Sequence, residues 1–282
     1  MILLDGKTLS EKILTNLSLE IRNLKLDITL DIIIVGNNPS SLKYVELKQQ
    51  KASSIGIGGQ IHRLDQNSDT QTVIDLVNKL NNGPNVTGLM VQLPLPPQID
   101  TNLVLSAIDI KKDVDGLNPT NLALLFQKND QGIPSATSLG IIKLLEEYKI
   151  EISGKNAVII GRSPEVGLPL FAQLLAKNAT VTVCHSHTQN LSQITSQADI
   201  LISAIGKANS FGKEYVKKDA VVIDVGFGID PNTGKVSGDF IFDEIKDIAG
   251  FISPVPGGVG PMTVATLLFN TVQVAKNTLQ TK

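Results

Sequence analysis

A single cysteine, Cys184, leaves no partner for an intrachain disulfide. A bridge-held scaffold is therefore excluded, and 282 residues can bury enough surface to fold without one. Long apolar runs are missing as well: glycine, proline or charge interrupts each of them well short of the roughly 20 residues that a membrane span needs. The opening stretch, MILLDGKTLSEKILTNLSLE, interleaves charges with apolar residues instead of forming a signal-peptide core. Neither charge sign dominates. The formal net charge is −2 with Lys and Arg scattered singly, so a polyanion-binding stripe and a disordered acidic tail are both excluded. Internal repeats and low-complexity segments are absent too. These absences predict a cytoplasmic protein in a reducing compartment, with neither nucleic acid nor membrane as partner and no metal site.

What is present is a recurring alternation of short apolar runs with helical periodicity, the βαβ rhythm of a doubly wound α/β fold. The expected strands are Leu30–Val35 and Val86–Leu93 in the first half, then Ala157–Ile160, Thr180–Cys184, Ile200–Ala204 and Val221–Val225 in the second. A polar loop around Gln131–Ser138 precedes a helix expected over Leu139–Tyr148 and marks a domain boundary. The loop Ser253–Pro261, rich in proline and glycine, leads into a last helix expected over Thr263–Leu279.

Gly161-Arg162-Ser163-Pro164-Glu165-Val166-Gly167 follows the strand AVII and opens a helix, which aims backbone N–H groups and the positive helix end at the strand's carboxyl edge. The spacing departs from G-x-G-x-x-G, so a phosphate cradle and an ordinary tight turn both remain open. The next strand carries more information. A Rossmann domain specific for NAD ends it with Asp or Glu for the ribose 2′-hydroxyl, whereas here it runs into Cys184-His185-Ser186-His187-Thr188. Without that carboxylate nothing repels a 2′-phosphate, and Arg162, Ser186 and the imidazoles can donate to one, which favours NADP. His185 and His187 also read as ordinary loop histidines, the preferred reading for His187, and Cys184 reads as a small packed hydrophobe.

In the first half, Asn37 to Ser40 open a helix with Pro39 and Ser40 as start signals. At about 100° per residue, Ser41, Tyr44 and Lys48 fall within about 60° of one another, on the side that carries Leu42, Val45 and Ala52. An inward lysine of this kind is ordinarily a snorkelling side chain with its stem on the core edge. A catalytic lysine needs company in the same cleft. Gln92 supplies it by interrupting the apolar run LMVQLP at a strand's carboxyl end, where open α/β sheets bind ligands and a buried amide must find a partner. In Lys112-Asp113-Val114-Asp115-Gly116, either aspartate is a solvated turn residue or one of them reads a ring that donates hydrogen bonds.

Tyr44-Val45-Glu46-Leu47-Lys48, Val91-Gln92-Leu93-Pro94-Leu95-Pro96, Lys112 to Gly116, Gly161-Arg162-Ser163 with Val166-Gly167, and Pro254-Val255-Pro256-Gly257-Gly258-Val259-Gly260-Pro261-Met262-Thr263 together resemble the bifunctional methylenetetrahydrofolate dehydrogenase/methenyltetrahydrofolate cyclohydrolase family nearly end to end. The resemblance implies an N-terminal α/β catalytic domain over 1–137 joined by a C-terminal helix over 263–282, and a Rossmann-like NADP-binding domain with a mostly parallel sheet over 138–262. It implies hydride transfer from 5,10-methylenetetrahydrofolate to NADP⁺, then hydrolysis of the methenyl product to 10-formyltetrahydrofolate. Lys48 would be the catalytic acid/base and Gln92 its positioning partner, with Tyr44 stacked on the p-aminobenzoate ring and Asp115 accepting from the pterin. Pro256, Gly260 and Pro261, in the loop expected to span the cleft, would also touch the substrate. Thr137, Gly161, Arg162, Ser163, Ser186, Phe227 and Thr263 would bind the cofactor, and a homodimer would form through the nucleotide domain.

The chain departs from the family pattern in places. Ser135-Ala136-Thr137-Ser138 stands where Pro-Cys-Thr-Pro is usual, leaving Ser138 to cap the following helix. His187 replaces an Arg or Lys, and Phe227-Gly228 replaces Ile-Asn beside the nicotinamide. Two rival readings are an NADP-dependent dehydrogenase of the shikimate type and a dinucleotide-sensing protein without turnover; the latter would not need Tyr44, Lys48 and Gln92 together.

Overall fold

The computed structural model describes residues 1–25, 27–127, 132–231 and 233–280. Gln131, where the boundary loop is expected to begin, and residues 281 and 282 of the expected first domain lie outside that set. The first half runs β1 (Ile2–Leu3), α1 (Gly6–Leu24), β2 (Leu30–Val35), α2 (Pro39–Ser54), β3 (Ile61–Leu64), α3 (Thr70–Asn81), β4 (Gly88–Val91), α4 (Thr101–Ala107) and α5 (Pro119–Phe126). The second runs α6 (Ala136–Glu147), β5 (Asn156–Ile160), α7 (Gly167–Ala176), β6 (Thr180–Cys184), α8 (Leu191–Thr195), β7 (Ile200–Ser203), β8 (Val221–Asp224), β9 (Gly228–Ile229), β10 (Val236–Ser237), α9 (Phe242–Ile245), β11 (Phe251–Ile252) and α10 (Val259–Gln280). Two compact units result, one of residues 12–136 with 264–282, the other of residues 1–11 with 137–263.

In the first unit β2 lies between β3 and β4, and both pairings are parallel. All six residues of β2 are buried, so its side chains serve two cores by alternation. Leu30, Ile32 and Ile34 pack with Val45 and Ala52 of α2, Met90 of β4 and Leu268 and Val272 of α10. Ile33 and Val35 pack on the other side with Val73 and Val77 of α3 and Val104 of α4. Each fully buried aliphatic side chain contributes roughly 1.5–3 kcal/mol, which is why a six-residue strand can anchor the unit. The C-terminal helix thus returns to the first half, as the sequence predicts. β3, IHRL, was not expected from sequence; it is an edge strand with no fully buried side chain and so lacks an apolar run.

The second unit holds a six-stranded sheet in the order β1-β11-β8-β7-β5-β6, with every pairing parallel. The chain's first strand, β1, is its outermost member beyond β11. β6 and β7 flank β5 on opposite sides, so the chain reverses direction of travel there, and ligands of such sheets bind outside the carboxyl ends at that reversal. Cys184 ends β6 fully packed in the core with Val158, Ile160 and Leu201, and burial pushes its thiol up. That is the inert hydrophobe the sequence suggests. The helix after the boundary begins at Ala136, three residues earlier than expected, so Ser138 lies inside its first turn and does not cap it. Ser138 is buried and accepts a hydrogen bond from Gln173 Nε2 of α7.

Candidate functional site

The first unit gathers its candidate residues around α2. Asn38 caps the helix, its side-chain oxygen accepting from Ser40 N at 3.0 Å and Ser41 N at 3.1 Å, and Pro39 sits in the first turn where no N–H is missed. With that start fixed, Val45, Lys48 and Ala52 form the buried stripe. Lys48 does not snorkel: it is only 3% exposed. Its Nζ donates to Gln92 Oε1 at 3.0 Å, lies 3.7 Å from the Met90 sulfur, and sits over the Tyr44 ring 4.5 Å from the centroid. Gln92 continues the β4 ladder, donating its backbone N–H to Ile33 O at 2.8 Å, and its Nε2 donates to Leu93 O at 2.6 Å. Both ends of the amide are thereby satisfied, and its oxygen is fixed toward the amine. Burial pushes the Lys48 amine below the ordinary lysine range, opposed only in part by the negative charge of Asp115.

The two aspartates after β4 separate in role. Asp113 is fully buried, and its carboxylate accepts from the backbone N–H groups of Gly116, Leu117 and Asn118 and from Asn121 Nδ2 at 2.8 Å. Desolvation raises it to about 6 even so. It is the internal brace of the loop, and neither a solvated turn residue nor a ligand-facing one. Asp115, half-buried, is the member that acts electrostatically on Lys48. Asn270 of α10 holds the same loop, donating to Val114 O and Pro134 O at 2.9 Å each.

In the second unit Gly161 follows β5 with φ +125°, donates to Cys184 O at 2.9 Å and passes so close to the end of β7 that an added Cβ would lie 2.8 Å from Ala204 O. A Cβ on Gly167 would collide with the Gly161 carbonyl, so helix α7 starts directly on the turn. Ser163 Oγ accepts from Val166 N at 3.2 Å and shapes that turn. Arg162 is exposed beside it, and Ser163 is half-buried. On the neighbouring strand end Ser186 and His187 are exposed; His187 N donates to His185 Nδ1 at 3.2 Å. The register of β5 and β6 sets these two loops side by side at one sheet edge. Backbone held open by glycine, a guanidinium and hydroxyls, and no carboxylate at the end of β6, fit a dinucleotide bearing a 2′-phosphate.

Phe227 follows β8 and is 68% exposed. Thr263 Oγ1 lies 3.2 Å from Thr137 Oγ1, joining the start of α6 to that of α10. In the loop before α10, Pro256 is exposed, Gly257 takes φ +113°, and Gly260 and Pro261 belong to the helix's first turn, with open space where a Gly260 side chain would be. Two residues that sequence reading did not single out lie under this edge. Asp239, fully buried, accepts from Ser203 Oγ at 2.6 Å and from the N–H groups of Ile205 and Lys207; Asp224 accepts from those of Gly226, Asp239 and Phe240. Burial together with the neighbouring Asp239 charge raises Asp224 to about 7. An aspartate ending the apolar run VVID was the available signal.

Residues 4–115 match the family model described as tetrahydrofolate dehydrogenase/cyclohydrolase, catalytic domain, and residues 135–279 match its NAD(P)-binding domain. A bifunctional protein FolD of Methanoculleus marisnigri is 48% identical over 97% of this chain and 96% of its own length. Among solved structures, the bifunctional FolD dehydrogenase/cyclohydrolase of Campylobacter jejuni superposes with a TM-score of 0.95 at 43% identity, each chain covered to 99%. The Trypanosoma brucei enzyme, solved with NADP cofactor and inhibitor, gives 0.94 at 35% identity, again over 99% of both chains. Shikimate dehydrogenase of Thermus thermophilus reaches only 0.54 at 12% identity, a likeness of fold alone. Both family domains are matched in order, and the relatives align end to end: the chain belongs to the tetrahydrofolate dehydrogenase/cyclohydrolase family.

Proposed function

We infer that the chain carries both activities of its family: oxidation of 5,10-methylenetetrahydrofolate with NADP⁺ and hydrolysis of the resulting methenyl compound to 10-formyltetrahydrofolate. The observation that carries the reading is the buried Lys48 amine, held on Gln92 Oε1 at 3.0 Å and facing the Tyr44 ring. An amine serves as base and then acid near neutral pH only when its ammonium form is destabilised, and burial beside uncharged partners does this. In the hydrolysis Lys48 takes a proton from the water that adds to the methenyl carbon, and gives one to the pterin nitrogen as its bond to that carbon breaks. Gln92 fixes the amine's direction throughout. Tyr44 supplies an aromatic face for the p-aminobenzoate ring, and Asp115 accepts hydrogen bonds from the amino-pyrimidone edge of the pterin. Pro256, Gly260 and Pro261 complete the substrate contacts.

NADP⁺, when bound, supplies the hydride acceptor. Gly161 and the N-terminus of α7 would hold its pyrophosphate, Arg162, Ser163 and Ser186 would donate to its phosphates, and Thr137, Phe227 and Thr263 would contact the rest of the cofactor. The protein acts in the cytoplasm, in keeping with one buried cysteine, and among the described residues no helix is long and apolar enough to cross a membrane. It pairs with a second copy through the nucleotide unit, where β6 ends the sheet and offers a backbone edge. The test is NADPH absorbance with NADP⁺ and either methylenetetrahydrofolate or shikimate, each repeated with NAD⁺. Turnover with the folate and NADP⁺ supports the reading; turnover with shikimate, or with neither, refutes it.

A further inference from the structure

An ammonium group has three N–H bonds to satisfy, and the Lys48 side chain that carries it is only 3% exposed. Three uncharged acceptors surround Nζ: the Gln92 amide oxygen at 3.0 Å, the Tyr44 ring face at 4.5 Å and the Met90 sulfur at 3.7 Å. Strand geometry explains the grouping. Residues 90 and 92 of a strand share a face, and Met90 packs in the cluster that holds Val45 and Ala52 of α2, so both side chains rise toward the helix that carries Lys48. Met90 is 1% exposed and would pass for core in any sequence reading, set as it is in the run GLMV.

We propose that Met90 is a positioning residue for the Lys48 amine, its thioether completing with Gln92 and Tyr44 a set of three neutral acceptors matched to the three N–H bonds of the ammonium form. Sulfur is polarisable and a weak acceptor, so it steadies the charged form without the strong bias that a carboxylate would impose. The charged group that acts on the amine is Asp115, from the loop after β4; the other titratable neighbour is the Tyr44 phenol on α2 itself. An aliphatic residue of the same volume at position 90 would fill the space and withdraw one acceptor. The role assigned to Met90 rests on Lys48 being the acid/base, yet its effect on the amine can be read without turnover.

The experiment is an NMR titration of the Lys48 side chain in protein labelled at lysine Cε, assigned by its loss in Lys48→Met, comparing wild type with Met90→Leu and recording the pH profile of cyclohydrolase kcat/KM in parallel. Withdrawing the sulfur should lower the Lys48 midpoint by about half a pH unit, roughly a threefold change in the ammonium-to-amine ratio at fixed pH. The profile limb should move with it. A midpoint that stays in place or rises, as water entry through loosened packing would produce, overturns the proposal. A midpoint that falls while the profile stays fixed upholds Met90's hold on the amine and removes Lys48 from the acid/base role. Should Met90→Leu fail to fold, norleucine incorporated into the Met262→Leu chain exchanges sulfur for methylene at position 90 alone in the interior, and the same midpoint decides.

Discussion

Lys48 joins a titratable nitrogen to a fully packed environment, and the two consequences have opposite signs. For catalysis burial is useful; for stability it is a cost. The folded-state amine titrates below its ordinary value of 10.5, so its contribution to stability is present above that pH and is lost as the pH falls through the folded value. Near neutral pH the buried amine therefore weakens the fold, and Lys48→Met should stabilise the protein by roughly 0.5–2 kcal/mol at about pH 7, with the gain shrinking toward about pH 10. Urea melts at the two pH values check this, and a loss of stability at neutral pH would contradict it. Asp115→Asn should weaken folate binding on the order of 2 kcal/mol, about thirtyfold, because the amide presents an N–H to a pterin edge that itself donates. Calorimetric titration with a folate analogue reads the effect; unchanged affinity would leave Asp115 as only an electrostatic neighbour of Lys48. Arg162→Ala should raise the KM for NADP⁺ by roughly 10- to 100-fold, about 1.4–2.8 kcal/mol, and barely alter that for NAD⁺. Equal losses for both cofactors would move the guanidinium to the shared pyrophosphate.

At the scale of elements, the segment from β4 to α5 shows how the loop that carries Asp115 is held from beneath by buried hydrogen bonds. Leu89 N donates to Lys112 O at 2.7 Å, Asp113 gathers four donors beneath the turn, and Asn270 reaches from α10 to the carbonyls on either side. Asn270→Ala leaves the Val114 and Pro134 carbonyls without their amide donor, and a buried acceptor so stranded costs about 1–3 kcal/mol. The expected outcome is a lower melting temperature and weaker folate binding with NADP⁺ affinity unchanged, measured by calorimetry on both ligands. A matching loss of NADP⁺ affinity would show that the substitution damages the whole chain instead of this loop. The elements differ in how much of themselves they write into the sequence, for physical reasons. β2 and β6 have the predicted bounds because each is a compact run of β-branched and apolar residues closed by glycine or by polar loop residues. The two-residue strands β1, β9, β10 and β11 carry too little pattern to be seen, and α6 starts at Ala136, ahead of the Ser138 that the sequence offers as its cap.

At the scale of the molecule, the division into a lysine-bearing half and a nucleotide half was legible because the two halves use different devices: an inward polar stripe on α2 with Gln92 in the first, a glycine turn and a strand end without a carboxylate in the second. The grouping of residues 1–11 with 137–263 was not, since it depends on β1 pairing with β11 across nearly the whole sequence. Asp224 and Asp239 escaped notice for the same reason, since their partners come from several different loops. Met90 escaped for the opposite one, being apolar in an apolar run. The account as a whole stands on Lys48 serving the hydrolytic step while the nucleotide unit works independently of it. The decisive measurement is the enzyme-dependent decay of methenyltetrahydrofolate absorbance for wild type and Lys48→Met, with NADP⁺ binding measured on the same samples. The account predicts decay reduced to the uncatalysed rate in the variant with NADP⁺ affinity intact; catalysed decay within about tenfold of wild type, roughly 1.4 kcal/mol or less in barrier, would contradict it.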